Sequence, residues 1–357
     1  MTFAPRMRRP VSASLVLVLL CSLLVACDPE PEHAVLALNG STMGTTYSVQ
    51  VVDPPPGLDL DGLRQRIDAE LDEVNAEMST YRPDSELSRF NAAAATDWMP
   101  VSPGLAATVA EAKRIGAASG GALDVTVGPL VNLWGFGPDL SKDDVPKPEA
   151  IAAALNRIGL DKLQVRLDPP ALRKAQPDLY VDLSSIAKGH GVDRVAAVIE
   201  AAGIDDYLVE IGGELYGRGV NARGESWRIA VERPQSVGRR VLRVVPLRDF
   251  GMATSGDYRN FFELDGVRYS HAIDPGTGWP VRHDLASVTV LADTCREADG
   301  WATGLLVLGP KRGPALARSL DLAALFIERH DDDRLTVTRT PAFDRLTEAA
   351  PTRPGGS

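Results

Sequence analysis

Cysteine is nearly absent from these 357 residues: there are three, and two of them, Cys21 and Cys27, lie at the N-terminus. Cys295 has no partner in the body of the chain, so an internal disulfide is excluded and packing alone must hold the core. Positive charge is in deficit, with 38 Lys and Arg against 48 Asp and Glu and a formal net charge of −10. That balance argues against a nucleic-acid partner, which requires a basic face, and leaves room only for a local basic pocket. The sequence has no G-x-G-x-x-G, no P-loop, no internal repeat and no long low-complexity tract, so neither standard dinucleotide fold is signalled. What is present is globular. Residues are 44% hydrophobic and 24% charged, in a chain long enough for one large domain or two intimate ones.

The N-terminus stands apart. MTFAPRMRRP carries Arg6, Arg8 and Arg9 and no acid, and is followed by the apolar run VSASLVLVLLCSLLVA. A basic start and an apolar stretch too short for a confident membrane span predict a secretory signal over residues 1–26. Leu24-Val25-Ala26-Cys27 resembles a lipobox, which predicts acylation of Cys27; a simple cleaved signal is the alternative. Removing the signal takes away three arginines and no acids, leaving a net charge of −13. Residues 27–38 then read as a tether, and the expected location is the periplasmic side of the inner membrane, held by lipid. Asp28, directly after the cysteine, is the sequence feature behind inner-membrane retention.

The body, residues 39–345, alternates helical and strand-like patterns. Leu63, Ile67, Leu71, Val74 and Met78 recur at spacings of four, four, three and four, one face of an amphipathic helix. A second helix is expected after Ser102, with Pro103 in its first turn and Gly120-Gly121 at its end. A third is expected from Pro148, and another over READGWATGLLVLG. Residues 203–290 hold short runs of Val, Ile, Leu and aromatics broken by Gly and Pro, as in antiparallel strands. The fold class is α+β, largely antiparallel sheets with helices packed on their faces. The tail, 346–357, reads as disordered.

Four stretches could carry chemistry. In EADGWATG, Asp299 and Thr303 fall four apart on one helix face, a carboxylate and a hydroxyl suited to Mg²⁺ or Ca²⁺; the same pair also reads as a solvated face or a cap. In VDLSSIAKGHGVD, Asp182 and two serines precede a helix start beside Lys188, an anion-favouring arrangement in which Gly189 and Gly191 allow close backbone approach; a capped turn with a surface lysine fits as well. SHAIDPGTGWPV places His271 near Asp274 and Thr277, a candidate base or a hydrogen-bonded loop histidine. GALDVTVGPLVNLWGFGP sets Trp134 and Phe136 among glycines with Asp124 nearby, a pocket wall or a buried strand and turn.

Seven stretches in order resemble the ApbE family of FAD:protein FMN transferases: MGTTYSV (43–49), MSTYRPDSELSRFN (78–91), GALDVTVGPLVNLWGFGP (121–138), VDLSSIAKGHGVDRVA (181–196), EIGGELYGRG (210–219), ATSGDYRNFFELDGVRYSHAIDPGTGWPV (253–281) and ADGWATGLLVLG (298–309). The resemblance implies an ApbE-like fold and Mg²⁺-dependent transfer of FMN from FAD to a threonine or serine hydroxyl of a protein, with release of AMP. It implies Asp299 and Thr303 as metal ligands, with backbone carbonyls of Ser185 and Ala302. It implies Met43, Tyr81, Ala122, Leu123, Asp124, Asp182, Lys188 and Ile273 as FAD contacts, and His271 as base. Leu123 stands where Phe is common, and His190 where an aromatic is common. Expected partners are extracytoplasmic acceptors, such as membrane redox subunits, with a threonine in a motif like Asp-Gly-x-Ser/Thr-Gly-Ala-Thr. An FAD pyrophosphatase giving FMN and AMP, or a non-catalytic FAD-binding lipoprotein, are the alternatives.

Overall fold

A computed structural model describes residues 33–138, 144–234, 240–258, 261–330 and 334–348. The expected signal and Cys27 lie outside the described residues, among which no helix is long and apolar enough to cross a membrane. Eight strands form one sheet in chain order: β1 (Val35–Thr42), β2 (Thr45–Val52), β3 (Tyr207–Ile211), β4 (Glu214–Arg218), β5 (Phe250–Gly256), β6 (Leu285–Ala292), β7 (Ala323–Arg329) and β8 (Leu335–Arg339). Every neighbouring pair is antiparallel. The sheet is thus a meander into which longer segments are inserted, as the antiparallel α+β reading requires.

Four helices shape the site: α1 (Leu60–Met78), α2 (Pro103–Ala118), α3 (Ala187–Ala201) and α4 (Cys295–Ser319). On one face of the sheet, Leu63, Ile67 and Leu71 of α1 and Val192, Val195 and Ile199 of α3 pack on Tyr47, Val49 and Val51. Beside them, Val109 and Ile115 of α2 and Trp301 and Leu305 of α4 pack with Val288, Val290 and Phe326. The opposite face is covered by a hairpin (Trp227–Glu232 with Val241–Leu247) and by the helix Pro341–Glu348, which close over Leu208, Met252, Leu291, Leu325 and Ile327. Strands β6 and β7 are therefore buried on both faces, which is why β7 opens on the apolar run AALFI and the polar residues of β6, Ser287 and Thr289, are small, uncharged and buried. A side lobe gathers Leu130, Trp134, Ile151, Tyr269 and Ile273, with Trp134 stacked on Tyr269 at 5.6 Å and Tyr269 on Phe262 at 4.9 Å.

Several boundaries differ from the sequence expectation. β1 begins at Val35, inside the stretch read as tether, because Val35 pairs with Val52. The helix Pro341–Glu348 runs into the segment read as a disordered tail, anchored by buried Phe343. Residues 128–133 form a short helix instead of a strand. α4 continues beyond the expected stop: Gly309, at φ 75°, breaks the helical path, and a second helical segment containing Pro310 and Pro314 extends it to Ser319. Finally, α3 starts at Ala187, five residues before its apolar run VDRVAAVIEAAG begins at Val192, so Lys188, Gly189 and Gly191 belong to its first turns.

Candidate active site

Two tight hairpin tips lie side by side at one end of the sheet. Met43-Gly44 joins β1 to β2 with both residues at positive φ (49° and 71°), and Gly212-Gly213 joins β3 to β4 (60° and 107°). Such two-residue loops match the twist of the strands they connect. The Gly212 N–H donates to the Thr46 carbonyl at 3.1 Å, linking the tips. Met43 is an unusual occupant of left-handed backbone, a strained conformation that persists where its surroundings hold it. Its methyl group lies 3.0 Å from where a Cβ on Gly191 would stand.

Against these tips two helices begin in contact, and each caps the other. α3 has no side-chain cap of its own. The Gly189 N–H donates instead to Asp299 Oδ2 of α4 at 3.0 Å. In return Asp193 of α3 accepts from the Cys295 and Arg296 N–H groups at the start of α4, at 2.7 and 3.0 Å. This reciprocity depends on Gly189, where a Cβ would stand 2.4 Å from the Cys295 carbonyl oxygen. The close approach that Gly189 and Gly191 allow is made by the α4 backbone at Gly189 and by the Met43 side chain at Gly191.

Lys188 projects beside this junction and its ammonium meets Glu214 Oε2 at 2.6 Å. Burial works against the lysine's charge, but Glu214 and Asp299 outweigh it, so its pKa is raised and it stays protonated. Burial pushes the Asp299 carboxyl up, with Lys188 and the Gly189 N–H pulling it back. Burial likewise raises Glu214, opposed by Lys188 and reinforced by Asp299. Two buried carboxylates thus share one ammonium, leaving the cluster short of positive charge. Thr303, one helical turn beyond Asp299, exchanges a hydrogen bond with Ser255 of β5 at 3.0 Å. The Gly189 N–H that would serve the Ser185 carbonyl in a regular ladder is taken by Asp299. No group of three or more His, Cys, Asp or Glu suited to a metal occurs among the described residues. A cation here would rest on Asp299 and neutral oxygens from Thr303, Ser185 and the Ala302 carbonyl, a hard donor set.

The other candidate residues sort into those packed around this junction and those in the side lobe. Leu123 is buried against α4, its Cβ 3.4 Å from where one on Gly304 would stand, and Ala122 is buried beside it. Asp124 is also buried and uses Oδ1 to accept from the Thr126 N–H and hydroxyl at 2.7 and 2.6 Å. Asp182 holds its own turn by accepting from the Ser184 N–H at 2.8 Å, and its N–H donates to Val125 at 2.8 Å. Tyr81 is 64% exposed, an open aromatic platform. The phenols of Tyr81 and Tyr180 are both raised, first by partial burial and then by the nearby charge of Asp182. Ile273 is buried in the side lobe, and His271 stands there edge-on to Phe136, ring centres 6.3 Å apart. Asp299, Lys188 and Gly189 are therefore brought together directly, and Tyr81 with Asp182. His271 and Ile273 belong to the lobe.

The sequence pattern of the ApbE family matches residues 43–326. The chain belongs to the ApbE family. A relative from Vibrio cholerae named FAD:protein FMN transferase is 48% identical over 316 residues, 88% of this chain and 94% of its own. One of the same name from Escherichia coli K12 is 43% identical over 319 residues, 86% and 90% of the two chains. The solved structure of flavin transferase ApbE from Vibrio cholerae matches with a TM-score of 0.81 at 46% identity, covering 87% of this chain and 99% of that one. Apo Pseudomonas stutzeri flavinyl transferase ApbE gives 0.80 at 42%, covering 89% and 98%.

The ApbE match begins at Met43 and ends within β7, so it includes every candidate residue and leaves out β1, β8 and the last helix. Three residues escaped the sequence reading. Glu214 and Ser255 lie inside quoted ApbE stretches, but nothing local shows what they face. Asn91 clamps the irregular segment before Asp182 by exchanging two 2.8 Å hydrogen bonds with the Val181 backbone. The junction also predicts a pH response. Burial lifts Asp193 to about 6 from an ordinary 3.8, so the folded state binds this proton more tightly than the unfolded one. Its contribution is fully present below about pH 4 and is lost as pH rises through about 6, a swing of about 3 kcal/mol. Urea unfolding of the protein and of Asp193→Asn at pH 4.5 and pH 7 checks it. The difference between them should shift in favour of the variant at the higher pH.

Proposed function

We propose that this chain transfers the FMN half of FAD to a threonine or serine hydroxyl of an acceptor protein, with Mg²⁺ at Asp299. The observation that carries the reading is the junction itself, a protonated Lys188 and an α3 N-terminus beside a buried, charge-deficient pair of carboxylates. The Lys188 ammonium, with the positive end of the α3 dipole behind it, suits a pyrophosphate. With Glu214 engaged by Lys188, the Asp299 carboxylate and the neutral oxygens of Thr303, Ser185 and Ala302 would suit a small hard cation. When bound, Mg²⁺ supplies positive charge against the pyrophosphate and the leaving phosphate oxygen. Lys188, held by Glu214, binds the phosphates. Tyr81, Met43, Ile273 and the 122–124 segment contact FAD, and Asp182 orients the turn beneath them. His271 accepts the proton of the attacking hydroxyl. The new bond joins the acceptor oxygen to the FMN phosphorus, the phosphoanhydride bond breaks, and AMP leaves.

Acylation of Cys27 would place the enzyme on the periplasmic side of the inner membrane and concentrate it with membrane-bound acceptors. The deciding experiment mixes residues 28–357, FAD and Mg²⁺ with a small domain carrying the threonine motif, with and without EDTA, and reads the acceptor's intact mass. The expected result is a metal-dependent gain of one FMN less water, with AMP released. FMN and AMP accumulating over an unmodified acceptor would make the chain a pyrophosphatase. FAD bound and left whole would make it a carrier.

A further inference from the structure

The chain is acidic overall, yet residues 223–248 hold seven arginines, two glutamates and no lysine. This stretch contains the hairpin that covers the sheet face opposite α1–α4. Its inner side is apolar, through Trp227, Ile229, Val231, Val245 and Leu247. Its outer side carries Arg228, Ala230 and Glu232, which pair across the hairpin with Pro246, Val244 and Val241; exposed Arg240 directly precedes Val241, and Arg243 pairs with Val231 on the inner side. Arg228, Arg240 and Arg243 have no ion pair among the described residues. Exposed valines surround them: Val241 is 63% exposed and Val244 41%. Val337 of β8 is 41% exposed and pairs with Ile327, so it points to this same face. A cleft of about 380 Å³ between hairpin and β8 is lined by Arg243, Arg339 and Asp344 with Leu242, Leu325 and Val337; Arg339 pairs with Asp344 at 2.7 Å, which leaves Arg243 as the cleft's uncompensated cation.

Where the chain enters the fold is informative. Val35, 48% exposed, pairs with Val52, whose side chain lies in the core beneath the hairpin, so the first residues of β1 join the sheet on this face. They also enter at the sheet end where the hairpin departs, since Val35, Val52, Tyr207 and Arg218 lie in register or next to it across β1–β4. At a strand spacing of about 4.8 Å, β1 and β4 are about 15 Å apart there. The Lys188–Asp299 junction lies at the other end, on the helical face.

We propose that this hairpin face docks on an anionic lipid bilayer. Arg228 and the exposed Val241 and Val244 on the outer side, with Arg243 in the cleft beside exposed Val337, suit a layer of phosphate headgroups over acyl chains. Arg243 at the mouth of the cleft suits a single headgroup phosphate, and the dock turns the junction toward solvent and its acceptor. The inference deepens the membrane reading above, and its test omits the acylation site so that the two can fail separately.

The test uses residues 28–357, which contain the whole packed core, sedimented with vesicles of phosphatidylglycerol and phosphatidylcholine or of phosphatidylcholine alone, at about 0.15 M salt. Binding is expected only to the anionic vesicles. Arg228→Glu with Arg240→Glu should weaken it at least tenfold, roughly the effect of two reversed charges at an anionic surface. Val241→Ser with Val244→Ser should weaken it several-fold. Both variants keep the wild-type rate with soluble FAD and acceptor, because neither pair touches the junction. Equal binding to neutral vesicles, or binding indifferent to charge reversal, overturns the proposal. So does absence of vesicle binding together with slower modification of a protein acceptor, which would make this face a protein dock.

Discussion

Asp299→Asn is expected to lower kcat/KM for FMN transfer at least about 100-fold while leaving the protein folded and no less stable. Asparagine has the same shape, and its Oδ1 can still accept the Gly189 N–H that now reaches Asp299 Oδ2 at 3.0 Å. The α3 cap therefore survives and only the negative charge goes. Burial already disfavours that charge, so removing it relieves a cost in the folded state. Lys188 keeps Glu214 at 2.6 Å. What is lost is the one carboxylate among neutral oxygens on which a cation would rest. Removing a preorganised electrostatic group of this kind costs about 10²–10³ in rate. Initial rates by acceptor mass, read beside thermal melting, separate the possibilities. A variant that keeps its rate would remove Asp299 from the metal site. A melting temperature that falls along with the rate would assign the loss to structure.

The legibility of this site in the sequence follows the range of the interactions that build it. Asp299 and Thr303 were readable because four residues on a helix return to the same face, a purely local rule. α1 was readable for the same reason, since Leu63, Ile67 and Leu71 are buried at helical spacing. Glu214 was not, because its only remarkable property is the ammonium opposite it, contributed by a different element. The reciprocal caps were hidden more deeply. Gly189 to Asp299 and Asp193 to Cys295 join residues more than a hundred positions apart. Seen locally, two glycines around a histidine argue against a helix, and the apolar pattern that begins at Val192 supported a late start. Tertiary contact overrides that propensity: the α3 start is helical because α4 accepts its free N–H and fills the space the missing side chains leave. The ordered family resemblance carried the site where single spacings left alternatives open. It could name Lys188 and Asp299, though not the acid that holds the lysine.

Gly189→Ala tests the junction most severely, and it is expected to destabilise the protein by about 3 kcal/mol or more. In an isolated helix the change would help, by about 1 kcal/mol. Here the new Cβ would lie 2.4 Å from the Cys295 carbonyl oxygen, 2.7 Å from its carbon and 2.8 Å from the Arg296 Cα. All three are backbone atoms of α4, so no side-chain rotation relieves the clash and the helices must separate. Overpacking of that kind costs about 1–3 kcal/mol. Separation also strains the Gly189–Asp299 bond and both N–H groups held by Asp193, each worth about 1 kcal/mol or more when a charged acceptor is involved. Gly191→Ala, two residues on, is the control. Its nearest neighbour is the Met43 methyl at 3.0 Å, the free end of a flexible side chain, so its loss should stay near 1 kcal/mol. Urea unfolding of the two variants should therefore differ by about 2 kcal/mol. Equal stabilities would mean that α3 and α4 do not meet through Gly189, and the shared caps that aim Asp299 at the α3 N-terminus would fall with that contact.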